Sequence, residues 1–258
     1  MQATSEVVEN KTENSTRPAP APITLMVDVV IFSLRPKNDA YSIGEIRPEE
    51  AAELLALQVL LVKRAREPFK GQWALPGGYV RPDESLEQAA ARQLTEKTAL
   101  RPAYLEQLFT FGQPERDPRR RAVSIAYFAL VRTDNQQIAA GRDTSEARWF
   151  SPDALPTSLA FDHQHILNYA LWRLRNKIKY ANIAFQFLPP TFTLSQLRAV
   201  YEVITGKKED PANFKRKVDA SGTIISTETR LEGGKHRPPK LYKAVVTHAD
   251  PYQRGPTC

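Results

Sequence analysis

The sequence predicts an α/β sandwich followed by a smaller α+β domain. Apolar, β-branched runs are mixed with amphipathic segments over residues 23–157, which indicates a sheet covered by helices. Two successive prolines, Pro189 and Pro190, then break this pattern, and two short helices and a hairpin follow. We therefore predict five parts, namely an arm at 1–22, the sandwich at 23–157, a linker helix at 158–186, the second domain at 187–246 and a tail at 247–258.

The elements of the first domain follow from local patterns. β-Branched apolar runs favour buried strands, and the capping-box spacing of Ser85 and Gln88 marks the start of a helix. Loops with many Gly and Pro residues often carry function. In chain order we predict a strand at 23–34, a loop ending in a short helix at 35–56, a strand at 57–62, a Gly- and Pro-rich loop at 66–80, a helix at 84–99, and strands at 122–131 and 147–150.

The second domain has the element order of a winged helix-turn-helix. A long helix at 162–179 precedes it, with cations near its C-terminal end, where they suit the helix dipole. An amphipathic helix at 194–205 and a short basic helix at 211–220 come next. A hairpin at 222–246 then turns at Gly233-Gly234. This order of two helices and a basic hairpin is typical of DNA-binding domains.

Composition narrows the class of protein. Hydrophobic residues make up 41% and charged residues 25% of the 258 residues, as in an ordinary globular protein. The single cysteine, Cys258, allows no intrachain disulfide. Residues 1–22 lack the apolar segment of a signal peptide, and the apolar run at 23–34, interrupted by Asp28, is too short to span a bilayer. We expect a cytoplasmic protein with no membrane partner.

The basic charge is concentrated in the last third of the chain. Residues 187–258 hold 12 Lys/Arg against 7 Asp/Glu, whereas residues 1–186 hold 24 against 22. A basic third beside a nearly neutral remainder favours a polyanionic partner for that third. A solvated basic surface explains the charge alone equally well, so both interpretations stay open on this evidence.

One stretch carries the signature of phosphate chemistry. GGYVRPDESLEQAAARQLTEKTAL (77–100), preceded by GQWALPGG (71–78), resembles the Nudix box. In that motif a glycine loop enters a helix whose carboxylates, at positions i, i+3 and i+4, hold a divalent metal against a pyrophosphate. The residues that match in register are Gly78, Glu84, Arg92, Leu94, Glu96 and Leu100.

Three positions of the box depart from that chemistry. Gln93 and Lys97 stand where the motif has glutamates, and Ala99 stands where it has glycine. Because Gln93 and Lys97 are four residues apart, they share the helix face on which a metal would lie. An amide is a weak ligand for Mg²⁺ and an ammonium repels it. Glu84, Arg92 and Glu96 are retained, but two glutamates alone make a poor metal site. We therefore predict no metal site, no bound Mg²⁺ and no hydrolysis by the usual route.

The rest of the chain is similar to the NrtR family of Nudix-related transcriptional regulators. The segments that carry the likeness are RDPRRRAVSIAYFALV (116–131), LAFDHQHIL (159–167), FLPPTFTLSQLRAVYEVITG (187–206), NFKRKV (213–218) and PPKLYKAV (238–245). The resemblance implies a Nudix domain that senses ADP-ribose, without a required cofactor. It also implies a homodimer whose winged helices repress NAD-metabolism genes from a palindromic operator, with ADP-ribose weakening DNA binding.

A pocket for ADP-ribose needs aromatic faces for the adenine and arginines for the pyrophosphate. Trp73 fits a core position equally well, and Arg92 fits a structural contact of its helix, so both alternatives stay open. The arginine run at 119–121 is expected to be mostly solvated. His163 and His165 are two residues apart and lack further Cys or His neighbours, which argues against zinc. The candidate effector-binding residues are Arg64, Trp73, Gly77, Gly78, Glu84, Arg92, Arg116, Phe161 and His163.

The basic helix and the hairpin supply the candidates for DNA contact. Three consecutive cations cover most of a helix circumference, so one or two can reach phosphates and one a base edge. We expect Asn213 to cap this helix. Each cation taken alone suits a solvated surface, whereas the set on this fold order favours DNA. The candidates are Asn213, Lys215, Arg216, Lys217, Arg230, Lys235, His236, Arg237 and Lys240.

Two alternative functions remain at this stage. The first is an active metal-dependent ADP-ribose pyrophosphatase that uses Glu84, Glu96 and a carboxylate from elsewhere, which product formation with Mg²⁺ or Mn²⁺ would reveal. The second is a Nudix scaffold whose basic C-terminal part binds RNA. The absence of aromatic stacking motifs argues against RNA, and competition between duplex DNA and RNA would decide.

Overall fold

The computed structural model describes residues 22–37, 46, 50–132, 137–230 and 238–245, and it confirms the predicted fold class. The predicted tail, and the predicted arm apart from Pro22, lie outside these residues. No helix within the described ranges is long and apolar enough to span a bilayer. The strands are β1 Thr24–Pro36, β2 Leu55–Arg64, β3 Trp73–Ala74, β4 Gly77–Tyr79, β5 Tyr104–Phe111, β6 Ala122–Leu130, β7 Thr144–Phe150, β8 Ile224–Arg230 and β9 Lys240–Ala244. The helices are α1 Ala51–Leu54, α2 Leu86–Thr98, α3 His163–Lys177, a 3-10 helix Asn182–Phe187, α4 Leu194–Thr205 and α5 Pro211–Ser221.

Strand β1 lies at the centre of a seven-stranded mixed sheet. It pairs parallel with β6 and antiparallel with β2 and β4, while β3 and β7 pair with β2 and β5 pairs with β6. The register of β1 with β4 places Asp28 opposite Gly77. This pairing brings the glycine loop beside the one acidic residue of the central strand.

Helices cover both faces of the sheet, which explains the nearly continuous apolar run of β1. Val27, Val29 and Ile31 face α2 in one buried cluster. Val30 and Phe32 point the other way, into a second cluster that includes α3. The helix predicted as a linker is therefore a layer of the sandwich, since its apolar stripe lies against the sheet.

The sequence prediction missed three strands of this domain. β5 is an edge strand of the sheet path, and its register with β6 shifts between Gln107 and Phe109, so its apolar residues do not alternate cleanly. β3 and β4 are two and three residues long and lie inside the stretch predicted as a loop. Pairing with β1 and β2 makes these short segments strands, and local sequence does not encode that pairing.

The second domain has the two helices and the hairpin that were predicted. β9 pairs with β8 and also bridges Phe192, whose N–H and carbonyl both bond to Tyr242. Helix α4 contacts α1 and β2, and the apolar cluster under α3 continues through Leu197 and Val200 to Phe214. The two domains thus share one apolar core. The predicted turn at Gly233-Gly234 lies outside the described residues.

Candidate ligand cavity and DNA-binding surface

A cavity of about 600 Å³ lies at the end of the sheet where β1, the glycine loop, α2 and the start of α3 meet. Eight Lys/Arg and five Asp/Glu side chains line it, so its walls carry an excess of positive charge. A cavity of this size and sign is suited to an anionic ligand of nucleotide size. Seven of the nine predicted effector residues line it, namely Arg64, Gly77, Gly78, Arg92, Arg116, Phe161 and His163.

Asp28 forms the buried floor of the cavity. Its carboxylate accepts hydrogen bonds from Arg116 at 3.1 Å and from the Ser124 hydroxyl at 2.6 Å. Burial alone would raise the pKa of Asp28, but His163, Arg116 and Ser124 together hold it well below its usual value. This carboxylate is therefore ionised, and its negative charge fixes the groups around it.

His163 links the glycine loop to α3. Its Nδ1 accepts the Leu75 backbone N–H at 2.9 Å, and its Nε2 lies 3.4 Å from Asp28 Oδ1. Because Nδ1 is an acceptor, the ring proton is on Nε2 and faces the carboxylate. The ring thus has a structural partner on each nitrogen and presents its remaining surface to the cavity.

Arg116 is held by two carboxylates at once. Its side chain is 2% exposed, and it bonds to both oxygens of Asp162, at 3.0 and 2.8 Å, as well as to Asp28. Since Asp162 immediately precedes α3, this guanidinium ties the helix to the central strand. The prediction that Arg116 serves a pyrophosphate remains a prediction, and its ion pairs give it a structural role in addition.

An aromatic ring contacted by two arginines forms another wall. Arg64 lies 4.9 Å and Arg119 lies 5.9 Å from the ring centroid of Phe161, and Phe69 meets the same ring edge-on at 4.8 Å. Two hydrogen bonds from Arg119 hold it to Asp117. The expectation that the run 119–121 is mostly solvated is confirmed, because Arg119 and Arg120 are exposed. The contact with Phe161 also makes Arg119 part of this wall.

On α2, the retained box residues form an ion-pair cluster. Ser85 and Gln88 make the predicted capping box, and Arg92 donates to Glu84 at 2.8 Å and to Glu96 at 3.4 Å. The hydrogen bond from Arg92 lowers the pKa of Glu84 to about 2. Arg81 also reaches Glu96 at 3.4 Å. Both glutamates are therefore already neutralised by guanidinium groups.

The altered position 93 fits closely against the glycine loop. With its amide oriented to satisfy both ends, Gln93 donates to the Gly77 carbonyl and accepts from Arg92, at 3.1 and 3.0 Å. A Cβ on Gly78 would lie 2.4 Å from this amide, and one on Gly77 would lie 2.5 Å from the Val27 carbonyl oxygen. Close packing against the backbone thus requires glycine at position 77, whereas a side chain at position 78 would displace the Gln93 amide.

The altered position 97 brings a cation to the cavity wall. Lys97 Nζ donates to the Arg142 carbonyl at 2.7 Å and lies 3.6 Å from Asp143 Oδ2, with 13% of its side chain exposed. Burial lowers the pKa of Lys97, and Asp143 partly offsets this effect. Ala99, the third altered position, ends α2 with a φ of 61°, a left-handed conformation that favours glycine.

These side chains do not fit a divalent metal. Such an ion needs several free oxygen ligands, whereas Glu84 and Glu96 are paired with arginines and position 97 presents an ammonium. No group of three His, Cys, Asp or Glu side chains suited to a metal occurs in the part of the chain that the structure describes. The cavity is therefore better suited to direct contact with an anion.

Two predicted effector residues are not part of the cavity lining. Glu84 is turned toward Arg92. The ring of Trp73 packs edge-on against Phe150 at 4.8 Å and joins the apolar core, so the structure favours the core alternative for this residue. The prediction also omitted Asp28 and Asp143, whose partners are distant in sequence.

On the second domain, α5 presents its cations outward. Phe214 and Val218 are one helical turn apart and buried, and Phe214 packs against Tyr201 at 5.4 Å. The stretch between them, 215–217, is exposed as a result. The prediction of Asn213 as the cap is wrong, because Asp210 caps the helix by accepting the Asn213 N–H at 2.8 Å. Asn213 lies two residues farther into the helix than Pro211.

The cations of α5 make local ion pairs and hydrogen bonds that a ligand can replace. Lys215 pairs with Asp219, Arg216 bonds to the Asn213 side chain, and Lys217 lies 3.1 Å from Glu209. Exposed pairs of this kind contribute little to stability. These side chains are therefore available to phosphates or base edges.

The hairpin beside α5 supplies two further predicted contacts. Arg230 ends β8 and donates to the Pro238 carbonyl at 2.9 Å, and Lys240 stands opposite Arg230 at the start of β9. Both are exposed, and they form the last pair of the hairpin before residues 231–237, which lie outside the described ranges. Lys235, His236 and Arg237 lie outside the described residues, so their contacts stay a prediction.

Comparisons with known proteins agree with both halves of this description. Residues 44–170 match the NUDIX domain family, and residues 184–244 match the NrtR DNA-binding winged helix domain. The ADPR responsive transcriptional repressor NtrR of Acinetobacter baylyi is 38% identical over 199 residues, which cover 75% of this chain and 78% of that protein. The chain belongs to the NrtR family. The resemblance found in the sequence is thereby confirmed.

Two further relatives are an NrtR protein of known structure and a Nudix enzyme. The crystal structure of Shewanella oneidensis NrtR complexed with a 27mer DNA has a TM-score of 0.67 and 35% identity, and the match covers 86% of this chain and 93% of that one. An ADP-ribose pyrophosphatase of Methanocaldococcus jannaschii is 39% identical over 117 residues, 45% of this chain and 68% of that enzyme. The regulators match along most of this chain, whereas the enzyme matches less than half of it.

Proposed function

We propose that this NrtR-family chain is a transcriptional repressor of NAD-metabolism genes whose binding to DNA is weakened by ADP-ribose. The observation that carries the proposal is the combination of a basic cavity in the Nudix domain with an exposed basic helix on a winged helix domain. The Acinetobacter relative is named as an ADPR-responsive repressor, and the Shewanella relative was crystallised with DNA. The proposal places the protein in the cytoplasm, with its operator.

The cavity has protein groups suited to both the adenine base and the pyrophosphate of ADP-ribose. Arg64 and Arg119 lie over the Phe161 ring, and their planar guanidinium groups offer faces on which a base can stack. Arginine is suited to two-point contact with phosphate oxygens, and Arg66, Arg81 and Arg119 line the cavity on exposed or half-buried side chains. The effector is thus bound by protein groups alone in this proposal.

Helix α3 connects the effector to the DNA-binding domain. It begins beside Asp162 and His163 in the cavity, and near its other end Arg175 donates to the Ile204 carbonyl of α4 at 3.3 Å. A ligand that shifts the start of α3 therefore changes how α4 and α5 are held. In a homodimer this shift would alter the spacing of two α5 helices on a palindromic operator.

The second candidate function, ADP-ribose hydrolysis, is favoured by the similarity to the pyrophosphatase. Against it stand the arginine pairs of Glu84 and Glu96 and the ammonium of Lys97. We propose that the chain binds ADP-ribose with negligible turnover. Product release above about 1 per second with Mg²⁺ or Mn²⁺, the low end of ordinary enzymes, would show the opposite.

The experiment that tests the repressor proposal is a gel shift with DNA from upstream of the chain's own gene. Saturating ADP-ribose should weaken binding by roughly 5- to 150-fold, the usual range of allosteric coupling. The Arg64→Met variant should bind DNA as before and need roughly tenfold more ADP-ribose, because it loses a charged contact. Arg148→Met is the matched control, since Arg148 lies over Trp73 and outside the cavity. An ADP-ribose response unaffected by Arg64→Met would exclude this cavity as the effector site.

A further inference from the structure

We propose that the ammonium of Lys97 takes the place of a divalent cation, so that the ligand's pyrophosphate binds without metal. The inference rests on the proposed function, because it concerns how the same cavity holds ADP-ribose. It goes beyond loss of catalysis, since it gives position 97 a binding role of its own.

The position of Lys97 supports this role. The residue lies on α2 one position after Glu96, and its side chain lines the cavity while only 13% of it is exposed. An ammonium has three N–H donors. One donates to the Arg142 carbonyl at 2.7 Å, and Asp143 Oδ2 at 3.6 Å faces a second. At least one donor is left for a ligand oxygen.

The segment that precedes β7 packs against the end of α2 and fixes this ammonium in place. The backbone N–H of Arg142 bonds to the Glu96 carbonyl at 3.2 Å, and that of Gly141 bonds to the Lys97 carbonyl at 3.3 Å. A Cβ on Gly141 would lie 1.7 Å from the Glu96 carbonyl oxygen, so the segment approaches α2 as closely as a glycine allows. The charge is thus held at one point of the wall rather than on a freely moving side chain.

The charges around Lys97 also favour binding without a metal, because protein cations already neutralise the nearby carboxylates. Arg81 and Arg92 neutralise Glu96, and Arg92 also neutralises Glu84. Carboxylates paired in this way neither require a metal nor repel a pyrophosphate strongly. Over the whole lining, Lys and Arg outnumber Asp and Glu by eight to five. The excess suits a ligand with two negative charges.

An ammonium and a metal ion differ in what they do to a bound pyrophosphate. Both attract its oxygens, but a metal also lowers the pKa of bound water and so generates a nucleophile. Lys97 supplies the attraction alone. At position 97 the exchange therefore keeps the attraction for the pyrophosphate and contributes, with Gln93 and the paired glutamates, to the loss of turnover.

The experiment measures ADP-ribose affinity of the full-length protein by calorimetry, in EDTA and again in Mg²⁺. The wild type should give the same dissociation constant, within about twofold, in both solutions. Lys97→Met should weaken binding roughly 10- to 100-fold in both, as expected for loss of a charged hydrogen bond. Lys97→Arg should restore most of the affinity. Lys63→Met is the matched control, because Lys63 pairs with Glu146 at 3.8 Å outside the cavity lining, and it should bind like the wild type.

Lys97→Glu separates this role from a merely structural one. The new carboxylate beside Glu96 and Asp143 should make affinity depend on metal, with binding at least about tenfold tighter in Mg²⁺ than in EDTA. A structural role for Lys97 predicts equal weakening in the two solutions, which would overturn the inference. Should Lys97→Glu fail to fold, the wild-type and Lys97→Arg titrations carry the same test.

The two proposals fail in different ways. If EDTA abolishes wild-type binding that Mg²⁺ supports, the metal-free inference is overturned while the effector role stands. If ADP-ribose binds in neither solution, the proposed function itself fails.

Discussion

Arg116 and Lys217 are both paired with carboxylates, but their surroundings differ. The side chain of Arg116 is 2% exposed and lies between Asp28 and Asp162. That of Lys217 is 62% exposed and contacts Glu209 at the protein surface. The first pair belongs to the interior of the Nudix domain, and the second belongs to the surface of the winged helix domain.

The comparison shows that one type of contact serves two purposes. Breaking a buried pair leaves a charge without compensation, so Arg116 stabilises the fold around the cavity. An exposed pair contributes on the order of 1 kcal/mol or less, so the cations of α5 can exchange carboxylates for phosphates at little cost. Mutation of Arg116 should therefore lower the free energy of unfolding, whereas mutation of the α5 cations should lower DNA affinity.

The largest effect is expected from Arg116→Met. It leaves Asp28 and Asp162 without their guanidinium and should lower the free energy of unfolding by about 3–5 kcal/mol. Urea denaturation, monitored by tryptophan fluorescence, measures this loss. The control is Arg120→Met, four residues away and exposed, for which a change within about 0.5 kcal/mol is expected. Equal losses of unfolding free energy in the two variants would contradict the claim that the buried arginine contributes more to stability than the exposed one.

Replacing Lys215, Arg216 and Lys217 together by alanine should come next in size. Operator binding should fall at least about 100-fold, since contacts to bases and phosphates are lost together. The free energy of unfolding should change by only about 1 kcal/mol, because the pairs are exposed. Gel shifts and urea denaturation of the same preparation give both values.

A matched variant tests whether position or net charge matters in that loss. Lys70, Arg120 and Lys179 are exposed cations of the first domain, and their triple alanine variant removes the same charge. It should bind the operator nearly as the wild type does. An equal loss of affinity in the two triple variants would mean that overall charge, rather than α5, drives binding.

Ala99→Gly should give the smallest change, and a gain. Ala99 holds a left-handed conformation at the end of α2 that costs a non-glycine residue about 1–2 kcal/mol. The greater freedom of glycine in the unfolded chain offsets part of this gain. We expect about 0.5–1 kcal/mol of added stability by urea denaturation. Ala91→Gly, inside the same helix, should instead lose about 1 kcal/mol, and a loss in both variants would contradict this account of Ala99.

Local sequence was sufficient for much of the fold. The apolar run of β1 and the capping box of Ser85 and Gln88 each depend on neighbours in the chain, and both were predicted. Edge strand β5 was missed because a shift in register disturbs its alternation. The cap of α5 was assigned to Asn213 rather than Asp210, because two polar residues flank Pro211 and only backbone geometry chooses between them.

The cavity was harder to predict because its contacts span the chain. Asp28 looked like an interruption of an apolar strand, yet it meets Arg116, 88 residues away. Arg119 is exposed, as expected, but its contact with Phe161 depends on a residue 42 positions away in the chain. The motif residues could be read from spacing, whereas their charge partners depend on the folded chain.

The most direct test of the central claim is to measure ADP-ribose affinity for the free protein and for the operator-bound protein at one salt concentration, because DNA affinity depends steeply on salt. Coupled sites obey linkage, so operator DNA must weaken ADP-ribose binding by the same factor, roughly 5- to 150-fold, by which ADP-ribose weakens DNA binding. Equal ADP-ribose affinities for the two forms would contradict the account and leave the Nudix domain as a passive scaffold.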